Sequence, residues 1–290
     1  MKRISQSLSV TLAAALALAG CTGSPAETFT AAPTEITVTA GFYPLQFVAE
    51  RVGGTRVAVT ALAPPGVEPH DLELSPAAVR SVRDSDVVLN LARFQASVDD
   101  AISTTGAHAL DVADSVTLVG ADPHFWLDPT LLAAYATAVG EEFASLDPQH
   151  AEDYRASAAA LRAELATTDA AYAERLSSCE RSTLLTSHGA FGYLAARYGL
   201  TQMGLSGVDP EAEPSPARIR EVRDVATSSG ATTVFVETIV DPSVVEAFAR
   251  DANLTIATLD PIESLTDADD DYLIVAARNL DALSAGLGCG

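Results

Sequence analysis

The chain has 290 residues, 48% of them hydrophobic, enough to bury a substantial core in one large domain or two of ordinary size. Its 39 acidic residues face only 17 basic ones, for a formal net charge of −22. That balance excludes nucleic acid as a partner, because phosphate binding needs a basic footprint; a negative surface instead draws divalent cations from a distance, or serves plain solubility.

Lys2 and Arg3 precede an apolar stretch from Leu8 to Ala19, and Leu18-Ala19-Gly20-Cys21 follows. This is the order of a secretory signal, too short to span a bilayer core of roughly 30 Å as a permanent helix. Its ending resembles the bacterial lipobox, which implies a diacylglycerol on the Cys21 sulfur and cleavage before it. Residues 1–20 are therefore expected to be a signal peptide, and 21–34, rich in Ser, Thr, Pro and Ala, a lipidated cysteine and flexible tether. An ordinary signal with an incidental cysteine is the alternative.

From Glu35 onward strand-like and helix-like segments alternate, the pattern of α/β architecture with parallel strands. Glu35–Ala40 reads as a strand, Pro44–Val52 as a helix and Arg56–Leu62 as a second strand. After the loop Ala63–Asp71 come a helix over Pro76–Asp84, a buried strand at Asp86–Leu91, and extended pieces at His108–Val112 and Val116–Val119. Asp147–Ser178 changes character: Tyr154, Ala158, Leu161, Leu165, Ala166 and Tyr172 form an apolar stripe at helical spacing. At 1.5 Å per residue, a helix of roughly 28 residues reaches about 42 Å, enough to cross the molecule.

Alternation then resumes. Strands are predicted at Thr183–Thr186, Thr201–Leu205, Thr232–Glu237 and Leu254–Leu259. Helices are predicted at Phe191–Tyr198, Pro216–Ser228, Ser243–Asp251 and Ala268–Leu287. The expected fold is thus α/β with two lobes, each a mainly parallel sheet flanked by helices, at 35–146 and 179–290. One long backbone helix at 147–178 joins them.

Three of the five histidines fall in loops at the ends of predicted strands: His70, His124 and His188. Ligands of open α/β sheets bind outside the carboxyl ends of strands. Prolines flank His70 in PPGVEPHD and His124 in DPHFWLDP, stiffening both loops. A lone loop histidine is ordinarily a solvated residue, but three in matching positions form a set. Asp260, at the end of the last strand, fits as a fourth donor; a plain turn residue before Pro261 is the alternative. Three imidazoles and one carboxylate suit tetrahedral Zn²⁺, whereas Mn²⁺ would more naturally receive a second carboxylate. Glu237 is placed either to ligate or to orient an imidazole from behind. His108 and His150 read as structural or surface residues, Phe125 and Trp126 as packing, and Asp269-Asp270-Asp271 as a solvated helix start. With Cys21 set aside, Cys179 and Cys289 are a disulfide candidate in an exported chain; two free thiols or a metal pair are the alternatives.

The segments GVEPHDLELSP, DPHFWLDP, TSHGAFGYLAARYGL, VFVET and TLDPI, in this order, resemble the metal-specific substrate-binding proteins of bacterial ABC importers, typified by the zinc receptors. The resemblance covers Glu35 to Leu287. It implies two lobes on a rigid long helix, with metal held in the cleft between them. The family's three histidine positions carry over onto His70, His124 and His188, and its fourth position falls near Asp260. Manganese-type relatives carry a carboxylate at the third position, so His188 favours zinc. The long His- and acid-rich loop of many zinc members is absent, which removes scavenging by a mobile loop and leaves the main site. The expected protein is a monomer that catalyses nothing and hands zinc to the ABC permease of its own system. Lipid on Cys21 would hold it at the outer face of the cytoplasmic membrane, at the cell surface or in a periplasm. The rivals are a manganese receptor of the same family, a zinc-dependent hydrolase using the same histidines, and an adhesin with structural metal.

Overall fold

A computed structural model describes residues 35–290 apart from Val240; the predicted signal, Cys21 and tether lie outside the described residues. Two four-stranded, all-parallel sheets organise the chain. In the first, β1 (Ile36–Ala40), β2 (Val57–Ala61), β3 (Val87–Asn90) and β4 (Ala109–Asp111) lie in the order β2-β1-β3-β4. In the second, β5 (Thr183–Thr186), β6 (Thr201–Gly204), β7 (Thr233–Val236) and β8 (Thr255–Thr258) repeat that topology as β6-β5-β7-β8. Register is set by the central strands: Val38 pairs with Val59 and Val87, and Leu185 with Met203 and Val234.

β3 is buried along its whole length, as a parallel strand covered on both faces must be. In the second sheet, side chains alternate between two cores. Leu184 and Phe235 join the main core, while Leu185 and Val234 join a smaller one beneath the outer helices. Those helices are α7 (Pro216–Ser229) and α8 (Ser243–Ala252), and the small core includes Val222, Val245 and Phe248. The main core is continuous from the first sheet to the inner face of the second.

The first lobe's helices are α1 (Tyr43–Gly53), α2 (Pro76–Asp84), α3 (Ala96–Thr105) and α4 (Pro129–Leu146). The long helix α5 (Ala151–Leu176) follows a 3-10 turn at Pro148–His150, and α6 (Gly192–Tyr198) and α9 (Tyr272–Leu287) complete the set. Several starts were written in the sequence. The side chains of Ser75, Asp128 and Ser215 accept backbone N–H groups at the starts of α2, α4 and α7, each with Pro next in line. Asp271 caps α9 by accepting from the Ile274 N–H at 2.8 Å, and Asp270 pairs with Arg278, so the Asp269–Asp271 run serves the helix start.

On α5 the residues Tyr154, Ala158, Leu161, Leu165, Tyr172 and Leu176 are buried; Ala166, counted in the predicted stripe, is exposed. This face packs on α4 at close range: a Cβ added at Gly140 would lie 2.9 Å from that of Ala158. Helices α3 and α4 lie where the patterning assigns none. α3 is rich in Ser, Thr and Asp, poor helix formers, and α4 is apolar on most sides and so shows no stripe. Val116–Val119 forms no strand, because the chain turns away from the sheet through a 3-10 turn at Val112–Asp114. Among the described residues no helix is long and apolar enough to cross a membrane.

Cys179 and Cys289, 110 residues apart, form a disulfide. It ties the end of α9 to the segment just after α5, and the free-thiol and metal-pair alternatives fall away.

Candidate metal centre

Five strand ends feed one point between the sheets. The loop after β2 carries His70, the segment after β4 carries His124, and His188 stands two residues beyond β5. Glu237 directly follows β7, and the loop after β8 carries Asp260 and Glu263. One donor atom from each of His70, His124, His188 and Glu263 lies within 4.8 Å of all the others. Both lobes therefore contribute two donors.

The distances match a small tetrahedral cation. Bonds of 2.0–2.1 Å imply ligand–ligand edges of about 3.3 Å. The observed edges are His124 Nε2 to His188 Nε2 at 3.4 Å, and Glu263 Oε1 to His124, His70 and His188 Nε2 at 2.8, 3.6 and 3.8 Å. His70 Nε2 and Glu263 Oε2 are buried without a hydrogen-bond partner. Orphaned buried polar atoms are costly, and a cation at this point would satisfy both.

Carboxylates hold two of the imidazoles from behind. His124 Nδ1 meets Asp122 Oδ1 at 2.7 Å, and His188 Nδ1 meets Glu237 Oε1 at 2.6 Å. Each contact directs Nε2 at the centre, the usual backing of a ligating imidazole. Glu237 also accepts from Ser187 Oγ and from the His188 N–H at 3.3 Å. Of the two roles open to it, the orienting one has this geometry. Among the described residues no such carboxylate stands behind His70; its ring stands edge-on to Phe94, with centroids 4.7 Å apart. A cavity of about 270 Å³ reaches His70 and Asp122, and another of about 310 Å³ reaches His188 and Glu237.

Asp260, expected as the fourth donor, is not in the group. Its Oδ1 accepts from the Ile262 N–H at 2.7 Å and its Oδ2 from Thr238 Oγ1 at 2.9 Å. It builds an Asx turn, a common use of Asp in loops, and three residues later Glu263 takes the position expected for it. Ile262 has φ +57°, a left-handed conformation costly for a β-branched residue. The reversal falls directly before Glu263. The signal for Glu263 was its place just beyond TLDPI, and Asp122 likewise stood two residues before a candidate ligand.

Trp126 and Phe125 are fully buried. His108 pairs with Glu142 and His150 with Asp147, both at 2.6 Å and away from the centre.

Without metal the group is an ion pair. Burial works against a charge on His124, but the bonds to Asp122 and Glu263 outweigh it and raise the imidazole to about 9. Burial pushes Glu263 up, and the bond to His124 with the charges of His124 and His70 drives it well below the usual carboxylate range. Glu68 is raised to about 8, first by burial and then by the Glu263 charge.

The sequence profile of a family described as zinc-uptake complex component A, periplasmic (ZnuA), matches residues 38–286, which take in both sheets and all four donors. The chain belongs to this family. The zinc-binding lipoprotein AdcA of Streptococcus pneumoniae is 28% identical over 276 residues, 86% of this chain and 55% of that protein. The chain therefore spans little more than half the length of such relatives. The high-affinity zinc uptake system protein ZnuA of Bacillus subtilis is 28% identical over 273 residues, covering 85% of this chain and 86% of its own. Among solved structures, the laminin-binding protein of Streptococcus agalactiae, described as having adhesin and metal-transporting activity, aligns with a TM-score of 0.82. Identity is 30%, over 87% of this chain and 99% of that one. The Zn(II)-bound ZnuA-like domain of S. pneumoniae AdcA aligns at 0.77, with 28% identity over 87% and 99% of the two chains. Two lobes of parallel sheet around a long helix are the architecture of this family.

Proposed function

We propose that this protein is an extracytoplasmic zinc receptor that delivers its ion to the permease of an ABC importer. The observation that carries the reading is the convergence of three imidazoles and one carboxylate, drawn from both lobes, on one buried point. His70, His124, His188 and Glu263 are the ligands of this reading, with Asp122 and Glu237 orienting two of the imidazoles. Three nitrogens and one oxygen suit zinc better than manganese, which prefers more oxygen donors. Four protein donors leave no open position for the water that catalytic zinc activates, so a receptor is favoured over a hydrolase. The family description, and relatives named for zinc binding and zinc uptake, support the same cargo and the same partner.

A lipid on Cys21 would hold the receptor against the outer face of the cytoplasmic membrane; the Leu-Ala-Gly-Cys order supports this, as does the lipoprotein name of a relative. We assign lobes at 35–146 and 179–290 on a backbone at 147–178, and a monomer as the working unit.

The test is metal content by mass spectrometry on protein beginning after Cys21, after competition between equal Zn²⁺ and Mn²⁺. One zinc per chain with manganese excluded, and occupancy lost in His188→Ala, is the expected result. Manganese retention, or zinc binding indifferent to His188, would refute the proposal.

A further inference from the structure

Glu263 reaches the metal point from a short return after β8, within which the Asp260 carboxylate accepts the Ile262 N–H at 2.7 Å. Asp260 and Pro261 are held in addition by side chains from elsewhere in the fold. Asn279, buried on α9, grips Asp260 by both backbone groups. Its Oδ1 accepts the Asp260 N–H at 2.9 Å, and its Nδ2 donates to the Asp260 carbonyl at 2.6 Å. Next along the chain, the Trp126 Nε1–H donates to the Pro261 carbonyl at 2.7 Å. The Trp126 carbonyl accepts from the Tyr272 hydroxyl at 2.6 Å, which ties the histidine loop of the first lobe to the same helix.

We infer that Asn279 is the positioning residue for the fourth donor: its two-pronged grip on Asp260 from α9 aims Glu263 at the three imidazoles. The inference rests on the zinc-receptor reading. Asn279 spends both halves of its amide on another segment's backbone. Only two residues separate the gripped residue from Glu263, and one of them, Ile262, holds the unfavourable φ of +57°. A strained link persists when its surroundings over-determine it. Asn279 on one side and Trp126 on the other, with the Asp260 carboxylate on the Ile262 N–H, supply that constraint. Released from it, Ile262 relaxes toward ordinary backbone angles and the Glu263 carboxylate swings off the point where His124 and His188 converge. Coordination then falls from three nitrogens and one oxygen to three nitrogens and solvent, weakening the site's preference for a closed tetrahedral shell. Asn279 touches no metal donor, so its effect is exerted through Glu263.

The experiment compares wild type, Asn279→Leu, Glu263→Ala and the double variant, loaded with Zn²⁺ and with Co²⁺. Leucine keeps asparagine's branching and heavy-atom count and removes both hydrogen bonds. We expect Asn279→Leu to bind zinc roughly tenfold more weakly, within the range for groups that orient metal ligands. Its Co²⁺ visible bands should lose tetrahedral intensity toward those of Glu263→Ala. The double variant should bind no more weakly than Glu263→Ala alone, since residues acting through one another are not additive. Trp126→Phe, which removes the donor to Pro261 and keeps the aromatic body, repeats the test should Asn279→Leu not fold. Unchanged zinc affinity and cobalt bands in the folded variant would overturn the inference, as would an equal loss of affinity on the Glu263→Ala background, the mark of a merely structural role. Failure of the wild type to bind zinc would instead overturn the receptor reading, and the inference with it.

Discussion

Asp260 and Glu263 lie three residues apart in the same loop, with opposite assignments. Asp260 is spent on the Ile262 N–H and on Thr238, whereas Glu263 keeps Oε2 unpaired and aims Oε1 at His124. Glu263→Gln should therefore weaken zinc binding ~100-fold, about 2.7 kcal/mol. Asp260→Asn, which keeps an acceptor for the turn, should cost less than tenfold; competitive titration against a chelator measures both. The His124–Glu263 pair also sets the pH response. Zinc needs His124 neutral, and in the metal-free protein the imidazole holds its proton up to about 9. Apparent affinity should rise close to tenfold per pH unit from about 6.5 toward 9, with one proton released per zinc bound. Stability of the metal-free form runs the other way. A folded-state value raised above the unfolded 6.5 stabilises fully below 6.5 and is lost as pH passes 9, a contribution of about 3 kcal/mol. The metal-free melting temperature should thus fall from pH 7 to 10 while the zinc-induced increment grows. Parallel behaviour of the two forms in calorimetry would disprove the coupling.

Elements carried their ends in the sequence more plainly than their middles. Ser-Pro and Asp-Pro pairs marked the starts of α2, α4 and α7, because a capping oxygen and a residue without an N–H suit those two positions. The long helix was legible from its stripe, and its packing is sharper than its pattern. Gly140 lets α4 approach α5 so closely that Gly140→Ala should lower stability by about 1–3 kcal/mol through overpacking, despite alanine's better helix propensity. Denaturant unfolding would register this as a lower midpoint with unchanged slope. The disulfide closes a loop of 110 residues. Replacing both cysteines by serine should cost about 2–5 kcal/mol while leaving zinc affinity within a factor of two or so, since the bond lies beyond the C-terminal end of α9 and Asn279 in the middle of that helix. An affinity loss beyond tenfold would show that the whole of α9, and not its first turns alone, supports the site.

At the scale of the molecule, a continuous core joins the sheets, with α5 packed on α1 and α4 from the first lobe and on α6 and α9 from the second. Tyr172 on α5 donates to the Ala276 carbonyl of α9 at 2.6 Å, and Phe47 of the first lobe stacks on Tyr272 of α9 at 5.3 Å. Separating the lobes by a wide hinge would open this packed interior, which is close-packed and resists gradual deformation. Zinc release should therefore involve loop and donor shifts with little change in overall shape. Small-angle scattering of metal-free and zinc-loaded protein should give radii of gyration equal within about 1 Å of the ~18 Å expected for a domain of this size. A larger expansion on chelation would contradict the rigid-backbone reading.

Alternating strands and helices, three proline-stiffened or strand-end histidines and a long striped segment were legible in the sequence because each rests on local chemistry. Side-chain period, capping groups and imidazole donors are written residue by residue. The fourth donor was not legible. Two carboxylates three residues apart are equivalent in a linear reading, and the choice between them rests on the left-handed turn at Ile262. That turn is held by Asn279 and Trp126, which stand 19 and 135 residues from the segment they grip. Helix α3, built largely of Ser, Thr and Asp, likewise owes its existence to burial against neighbours and not to propensity or pattern. Local sequence determined which groups could bind a metal; long-range packing decided which of them meet.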